Sequence, residues 1–390
     1  MQTEALIASL HAKYDVEHYV GRALDRKLRL REGGHYAART VAGIAQRLQA
    51  FLERRLSGSF TIAELKPLTG GISKEQFSFV LDWEQQGVRR RERLVLRTQP
   101  TQSAAETHRL REYQLMGALQ GVLPIPEPRW IDAEGEEFDN PTLICSFVDG
   151  VSKPSDGLTD VRIGYGRFRE RLAPQFVDLL ARTHTFDCRR ADLSAFELPP
   201  AGSNAGVLKF INWWARVWEE DAVEPEPLAT LAERWLRDHA PPIDRVSLTH
   251  GDYRSTNFLF SMDTGQITAV LDWELAWLGD RHLDLAYALQ PLFAEAAADG
   301  RPLICGLMTR EDFLREYERR SGLSVDPERL AYYEVLVRWR NMATTIAGGA
   351  RCVIEHKTHQ DVSFAWFVPL VGPTLMTSMR ESIAPHFRID

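Results

Sequence analysis

The stretch LTHGDYRSTNFLFSMDTGQITAVLDWELAWLGDRHLDLAY, residues 248 to 287, constrains this chain more than any other. A polar loop around His250-Gly251-Asp252, with Asn257 five residues beyond Asp252, is followed by the apolar run FLF and a turn at Asp263-Thr264-Gly265. The run ITAVLDW then carries the chain back, so the pattern predicts a β-hairpin whose ends meet, one at Asn257 and the other at Asp272. Two acids and an amide brought together on hard oxygen atoms suit one chemistry in particular. Phosphoryl transfer needs a carboxylate beside the attacking hydroxyl and oxygen ligands for the magnesium on the nucleotide phosphates. Asp252 is the expected catalytic acid-base group, orienting the acceptor hydroxyl and taking its proton. His250 and Arg254 complete the candidate catalytic set, and Asn257 and Asp272 are the expected metal ligands. Each piece alone has a plainer reading, as a turn or a helix cap. Their conjunction carries the argument.

Around this island the chain divides into three segments. Residues 1–59 read as a helical extension: VAGIAQRLQAFLERRL places Val41, Ile44, Leu48, Leu52 and Leu56 on one face, and Ser57-Gly58-Ser59 stops it. The extension either caps the next unit or forms a homodimer contact. Residues 60–150 read as strand, strand, strand, helix, strand, strand: FTIAELKPL, QFSFVLDW and RERLVLRT, a helix from Ala104 to Gln120, then PRWIDAE and PTLICSFV. The charged stretch EQQGVRRRER is the expected turn between the second and third strands. Residues 151–390 read as mainly helical apart from the island itself.

A length of 390 residues favours two packed units over one core. A formal net charge of −7 argues against a nucleic-acid partner, whose phosphates call for a basic surface. Cys145, Cys188, Cys305 and Cys352 are far apart and lack metal-ligand spacing, as expected of reduced thiols in a cytoplasmic protein. The N-terminus lacks the apolar core of a secretory signal, and FAWFVPLVGPTLM is interrupted by Pro369 and Pro373, so no membrane association is expected.

The 248–287 stretch resembles the catalytic core of the aminoglycoside phosphotransferase/choline kinase family, whose loop is similar to the protein-kinase HRDxxxxN. The pattern VLDWELAWLGDRHLDLA is most similar to a subgroup that includes kinase-like domains fused to acyl-CoA dehydrogenases. The resemblance covers roughly residues 60 to 360. It implies an α+β, protein-kinase-like two-lobed fold: a small antiparallel-sheet N-lobe with one helix, a larger, mainly helical C-lobe, and the helical extension before them. It implies ATP, with GTP left open, and Mg2+ as cofactors. Gly70 and Gly71 match the turn that covers the phosphates, with Ser73 or Lys74 as a further contact. Arg97 stands where most kinases place a phosphate-contacting lysine, and Glu112 is its expected carboxylate partner, with Glu106 as the fallback. The backbone of Ser146, Phe147 and Val148 corresponds to the hinge that meets adenine, the Phe147 side chain being core. Asp280 and Asp284 are implied scaffolding acids.

The acceptor is a small molecule bearing a hydroxyl. Trp213, Trp214 and Trp218 suggest either a cation cage or, with more weight, core packing. The acidic run WEEDAVEPEP reads as a solvated loop rather than a site for a polycation, and Arg89, Arg90, Arg91 and Arg93 as exposed turn residues. The subgroup resemblance tilts the expectation toward a hydroxyacyl-CoA or another metabolite. An aminoglycoside- or macrolide-type phosphotransferase and a non-catalytic nucleotide-binding pseudokinase are the alternatives. A metal-dependent hydrolase would need more ligands than His250, Asp252 and Asp272 supply, and His356 and His359 read as an exposed pair.

Overall fold

The structure, a computed structural model, describes residues 2–68, 74–85, 87–153, 165–297 and 299–387. Three helices come first: α1 (Gln2–Lys13), α2 (His18–Arg29) and α3 (Val41–Glu53). An antiparallel sheet follows, of β1 (Phe60–Pro67), β2 (Glu75–Gln85), β3 (Val88–Thr98), β4 (Pro128–Asp132) and β5 (Thr142–Ser146), with α4 (Arg109–Ala118) between β3 and β4. The strand order is β1-β2-β3-β5-β4. The remainder is α5 (Arg169–Thr185), α6 (Ala205–Asp221) and α7 (Pro227–Asp238), then the short strands β6 (Ser247–Thr249), β7 (Phe258–Phe260), β8 (Ile267–Val270) and β9 (Trp277–Gly279). Helices α8 (His282–Ala288), α9 (Arg310–Ser321), α10 (Pro327–Asn341), α11 (Gly349–Glu355) and α12 (Asp361–Ile383) complete it.

Alternation along β2 decides how the sheet is covered. Phe77, Phe79, Leu81 and Trp83 fall on one face, as a period of two requires, and pack against Ile44, Leu48, Phe51 and Leu52 of α3. Val95, Leu143 and Cys145 belong instead to the core shared with Leu115 and Met116 of α4. The five-strand expectation for residues 60–150 therefore matches, although α4 starts at Arg109 rather than Ala104. The expected turn at EQQGVRRRER is mostly strand: Arg89 through Arg93 pair with Glu84 through Val80.

The first 59 residues are helical but are not a separate unit. Helix α3 is the outer layer of the sheet, whereas Ile7, Leu10, Tyr14, Val20, Leu24 and Leu28 join the core of the helical lobe. A buried charge cluster fixes α2 to α6: Lys27 Nζ lies 2.7 Å from both Glu220 and Asp221. Asp221 also meets Arg31 at 2.7 Å and Arg351 at 3.0 Å. Glu220 and Asp221 are thus buried, not part of a solvated loop, because three cations from distant segments, Lys27, Arg31 and Arg351, surround the end of α6. Trp213 and Trp214 stack at 4.6 Å inside the core, which leaves no cation cage there.

Helix α12 also departs from expectation. It runs through Pro369 and Pro373 for 23 residues and is the one helix among the described residues long and apolar enough to cross a membrane. The two prolines do not break it because Ala365, Pro369 and Pro373 all face solvent, where water satisfies the carbonyls that lose a partner.

Candidate active site

The hairpin β7–β8 does what its sequence pattern requires. Phe258 pairs with Val270, and two hydrogen bonds bring the returning strand onto the loop. The Leu271 amide donates to the Asn257 carbonyl at 2.7 Å, and the Leu271 carbonyl accepts from His250 Nε2 at 2.8 Å. Asp272, the next residue, has a left-handed backbone (φ 65°) where the strand ends. Its Oδ1 accepts from Arg97 Nη2 at 2.8 Å.

Asp252 lies on the facing loop. Asn257 Nδ2 donates to its Oδ2 at 2.7 Å and to its carbonyl at 2.9 Å, and Arg254 Nε donates to its Oδ1 at 3.0 Å. The side-chain nitrogen of Asn257 is therefore committed to Asp252. Its amide oxygen has no hydrogen bond among the described residues. The charge of Asp252 also reaches Asp272 and Tyr287: it helps raise both groups, after burial, which is the larger cause in each. Asp252, Asn257 and Arg254 are thus hydrogen-bonded together, and the hairpin returns Asp272 to within electrostatic reach of Asp252.

The loop is held from behind. Asp284 accepts from the amides of His250 at 2.6 Å and Gly251 at 2.8 Å, and His184 Nε2 lies 3.1 Å from it. Burial acts to raise the Asp284 carboxyl, but His184 outweighs it and holds the group below the usual carboxylate range. Asp280 likewise accepts from the amide and Nδ1 of His282, at 3.0 and 2.6 Å, and from Arg329 at 2.9 Å. Both acids are buried scaffold. His250 belongs with them: it is fully buried, Nε2 donates to the Leu271 carbonyl and Nδ1 accepts from the Asp252 amide at 3.2 Å. No ring nitrogen remains for chemistry, so its expected catalytic role is corrected to that of a brace. Gly251 has φ 81°, and a Cβ there would meet the Leu275 carbonyl oxygen at 2.1 Å.

On the nucleotide side, Arg97 is paired with Glu112 and with Asp272. Burial would weaken the Arg97 charge, but these two carboxylates more than offset it and raise its pKa. Glu106 accepts from the Ser103 amide instead, at 2.6 Å. Lys74, expected at the phosphates, is fully buried with its Nζ 3.0 Å from Glu274. Burial would raise Glu274, but Lys74 and Arg109 hold it down to about 2. Arg109 also pairs with Glu112. An alternating row results, Lys74, Glu274, Arg109, Glu112, Arg97, Asp272, of which only the Arg97–Glu112 pair was expected from the sequence. Glu274 follows Asp272 by two residues in DWE, which is the signal that could have found it. Gly70, Gly71 and Ser73 lie outside the described residues.

The hinge expectation narrows. The Ser146 amide donates to the Glu127 carbonyl and the Phe147 amide to the Arg93 carbonyl, each at 2.9 Å. Those two donors are closed to adenine, leaving carbonyls and the Val148 backbone. Phe147 is capped by the Arg93 guanidinium 3.6 Å from its ring centre. Sequence reasoning also missed Arg340, which is buried and donates to the Gly251 carbonyl at 2.6 Å. Cavities of about 580 and 650 Å³ are lined by none of the candidate catalytic, metal-binding or nucleotide-binding residues.

A five-stranded antiparallel lobe with one internal helix, a helical lobe, and an acid–amide–acid hairpin between them define a kinase-like phosphotransferase. The model of the phosphotransferase enzyme family matches residues 64–333, well over half the chain, and the chain belongs to that family. It is 24% identical over 241 residues to mouse acyl-CoA dehydrogenase family member 10, covering 59% of this chain and 22% of that protein. It is 29% identical over 185 residues to chicken acyl-CoA dehydrogenase family member 11, covering 47% and 23% respectively. The chain therefore spans under a quarter of either relative's length. In fold it is similar to macrolide 2'-phosphotransferase type I, with a TM-score of 0.53 at 18% identity over 85% of this chain and 98% of that one. A GDP complex of an aminoglycoside 2'-phosphotransferase-IIIa mutant gives a TM-score of 0.52 at 17% identity over 89% and 99%.

Proposed function

We propose that this chain is an ATP- and magnesium-dependent small-molecule kinase that moves the γ-phosphoryl group onto a substrate hydroxyl, in the cytoplasm. One observation carries the reading: Asp252 is held between Asn257 and Arg254, and the hairpin's return bonds Leu271, next to Asp272, back to the Asn257 carbonyl. Magnesium fits the donors present, since the Asn257 amide oxygen, without a hydrogen bond among the described residues, and the Asp272 carboxylate are hard oxygens that would hold it. When bound, it would neutralise phosphate charge. Asp252 orients the acceptor hydroxyl and accepts its proton, and Arg254 fixes that carboxylate. Arg97 supplies positive charge at the phosphates in place of lysine, its fork set by Glu112.

The favoured acceptor is a hydroxylated acyl-CoA or a similar metabolite, a reading supported by relatives whose names are those of acyl-CoA dehydrogenases. An antibiotic acceptor is the alternative. The Arg97–Asp272 ion pair favours a further reading, a nucleotide-binding protein without catalysis, because that pair occupies an oxygen the metal would use. Thermal-shift titration with ATP, GTP and magnesium, run beside an acceptor screen read by product mass, separates the three. Asp252→Asn is expected to keep nucleotide binding and lose about 10²–10⁴-fold in transfer. Full activity in that variant would remove the assignment.

A further inference from the structure

Helix α12 carries an apolar face that no described residue covers. No charged residue stands between Asp361 and Arg380. One side of the helix is anchored, with Gly372, Leu375, Met379 and Ile383 buried and with Phe364 and Val368 against Gly349. Another side exposes Val362, Trp366 and Leu370, at 69%, 78% and 76%, with Phe367 beside them at 41%. Such a patch, on the order of 500 Å² of apolar surface, is large for a surface with nothing to bind.

We propose that this stripe is the contact between two copies of the chain, with their α12 helices packed antiparallel about a two-fold axis at Trp366. The spacing is self-complementary. Val362 and Leu370 each lie four residues from Trp366, so an antiparallel pair sets Val362 of one copy against Leu370 of the other and Trp366 against itself. Doubling the patch brings the buried area to about 1,000 Å², the threshold of a specific interface. Pro369, with Ala365 and Pro373, gives the adjoining surface small, flat side chains that allow close approach. A lipid surface fits less well. A helix lying in a membrane interface carries Lys or Arg along its polar face, and α12 has none before Arg380, in a chain of net charge −7. The N-terminal extension is less suited to dimerisation, since its apolar side chains pack inside the molecule.

Sedimentation velocity of the full chain should give twice the 44.4 kDa chain mass at micromolar concentration. Trp366→Glu should return it to a single chain without lowering the thermal unfolding temperature. All four native cysteines are buried, so engineered thiols report cleanly. Under mild oxidation Trp366→Cys should cross-link to itself, and Val362→Cys should link to Leu370→Cys in a mixture but not to itself. A single-chain mass at every concentration overturns the proposal, as does a dimer that survives Trp366→Glu or fails to cross-link through Trp366→Cys. Trp366-dependent pelleting with phosphatidylserine vesicles would assign the stripe to lipid. A Trp366-dependent complex with an acyl-CoA dehydrogenase, without self-association, would assign it to that partner. Either result replaces the dimer.

Discussion

Glu112 is the residue on which the nucleotide lobe's electrostatics turn. It is buried and holds two guanidinium groups, Arg97 and Arg109, and so stands between the charge meant for the phosphates and the row that ends at Lys74. Removing its charge leaves two buried cations short of a partner, a loss of about 3–5 kcal/mol when one member of such a pair goes. Glu112→Gln should therefore lower stability by that order in urea titration, and should weaken nucleotide binding through a misplaced Arg97. A second residue-scale case is Gly251→Ala. Its left-handed φ and the Leu275 carbonyl at 2.1 Å leave no room for a methyl group. Loss of soluble folded protein, or a stability loss of roughly 2–4 kcal/mol, is expected by thermal denaturation. At this scale the sequence was informative where chemistry is local. Asp252, Asn257 and Asp272 lie within 21 residues and announce themselves by spacing. Lys74 and His250 misled because residue type says nothing of direction: each is turned inward by a partner, Glu274 for one and the Leu271 carbonyl for the other.

The join between α2 and α6 has consequences at the scale of elements. Burial tends to raise the Asp221 carboxyl, yet Lys27 and Arg351 outweigh it and hold the group below its usual range. A carboxyl with a depressed folded-state pKa contributes stability that is complete above its unfolded value, about 3.9, and is lost as pH falls through the folded value. Urea midpoints should accordingly drop as the solution is acidified from pH ~5 downward. Asp221→Asn should be less stable at neutral pH by about 3–5 kcal/mol and should show a shallower acid slope, measured by the same titrations. An equally steep slope in the variant would place the acid sensitivity elsewhere. Helix α6 and its acidic end were legible as helix and acid, but burial was not. The cations that cover Glu220 and Asp221 come from α2 and α11, and no local pattern at WEEDAVEPEP points to Lys27 or Arg351. The β2 alternation, by contrast, was readable because a strand's two faces are written in its own period.

Across the whole molecule, the two lobes and the extension make one mechanical unit. Helix α2 reaches the sheet side through Arg26, which donates to the Thr101 carbonyl at 3.2 Å, and through the Lys27 carbonyl, which accepts from Gln102 at 3.0 Å. On the helical side the same element carries Lys27 into the α6 cluster. The segment after it crosses to the end of α11, where the Tyr36 amide donates to the His356 carbonyl at 2.7 Å, and continues to α3 on the outer face of the sheet. A two-lobed plan was readable from length and from the change of period near Phe60, whereas this clamp was not, since every contact it makes is distant in sequence. A chain lacking residues 2–39 would expose the apolar surface covered by Leu10, Leu24 and Leu28 and leave Asp221 without Lys27 or Arg31. The full chain should unfold in one cooperative calorimetric transition, because its larger core draws on α1, α2, α4 and the helical lobe together. The shortened chain should unfold at a temperature lower by about 4–7 °C for the ~3–5 kcal/mol of buried pairing alone, and by more with the surrounding packing lost. Two separate transitions in the full chain, or an unchanged transition in the shortened one, would show instead that the lobes carry their stability independently and that the clamp adds nothing to the cleft between them.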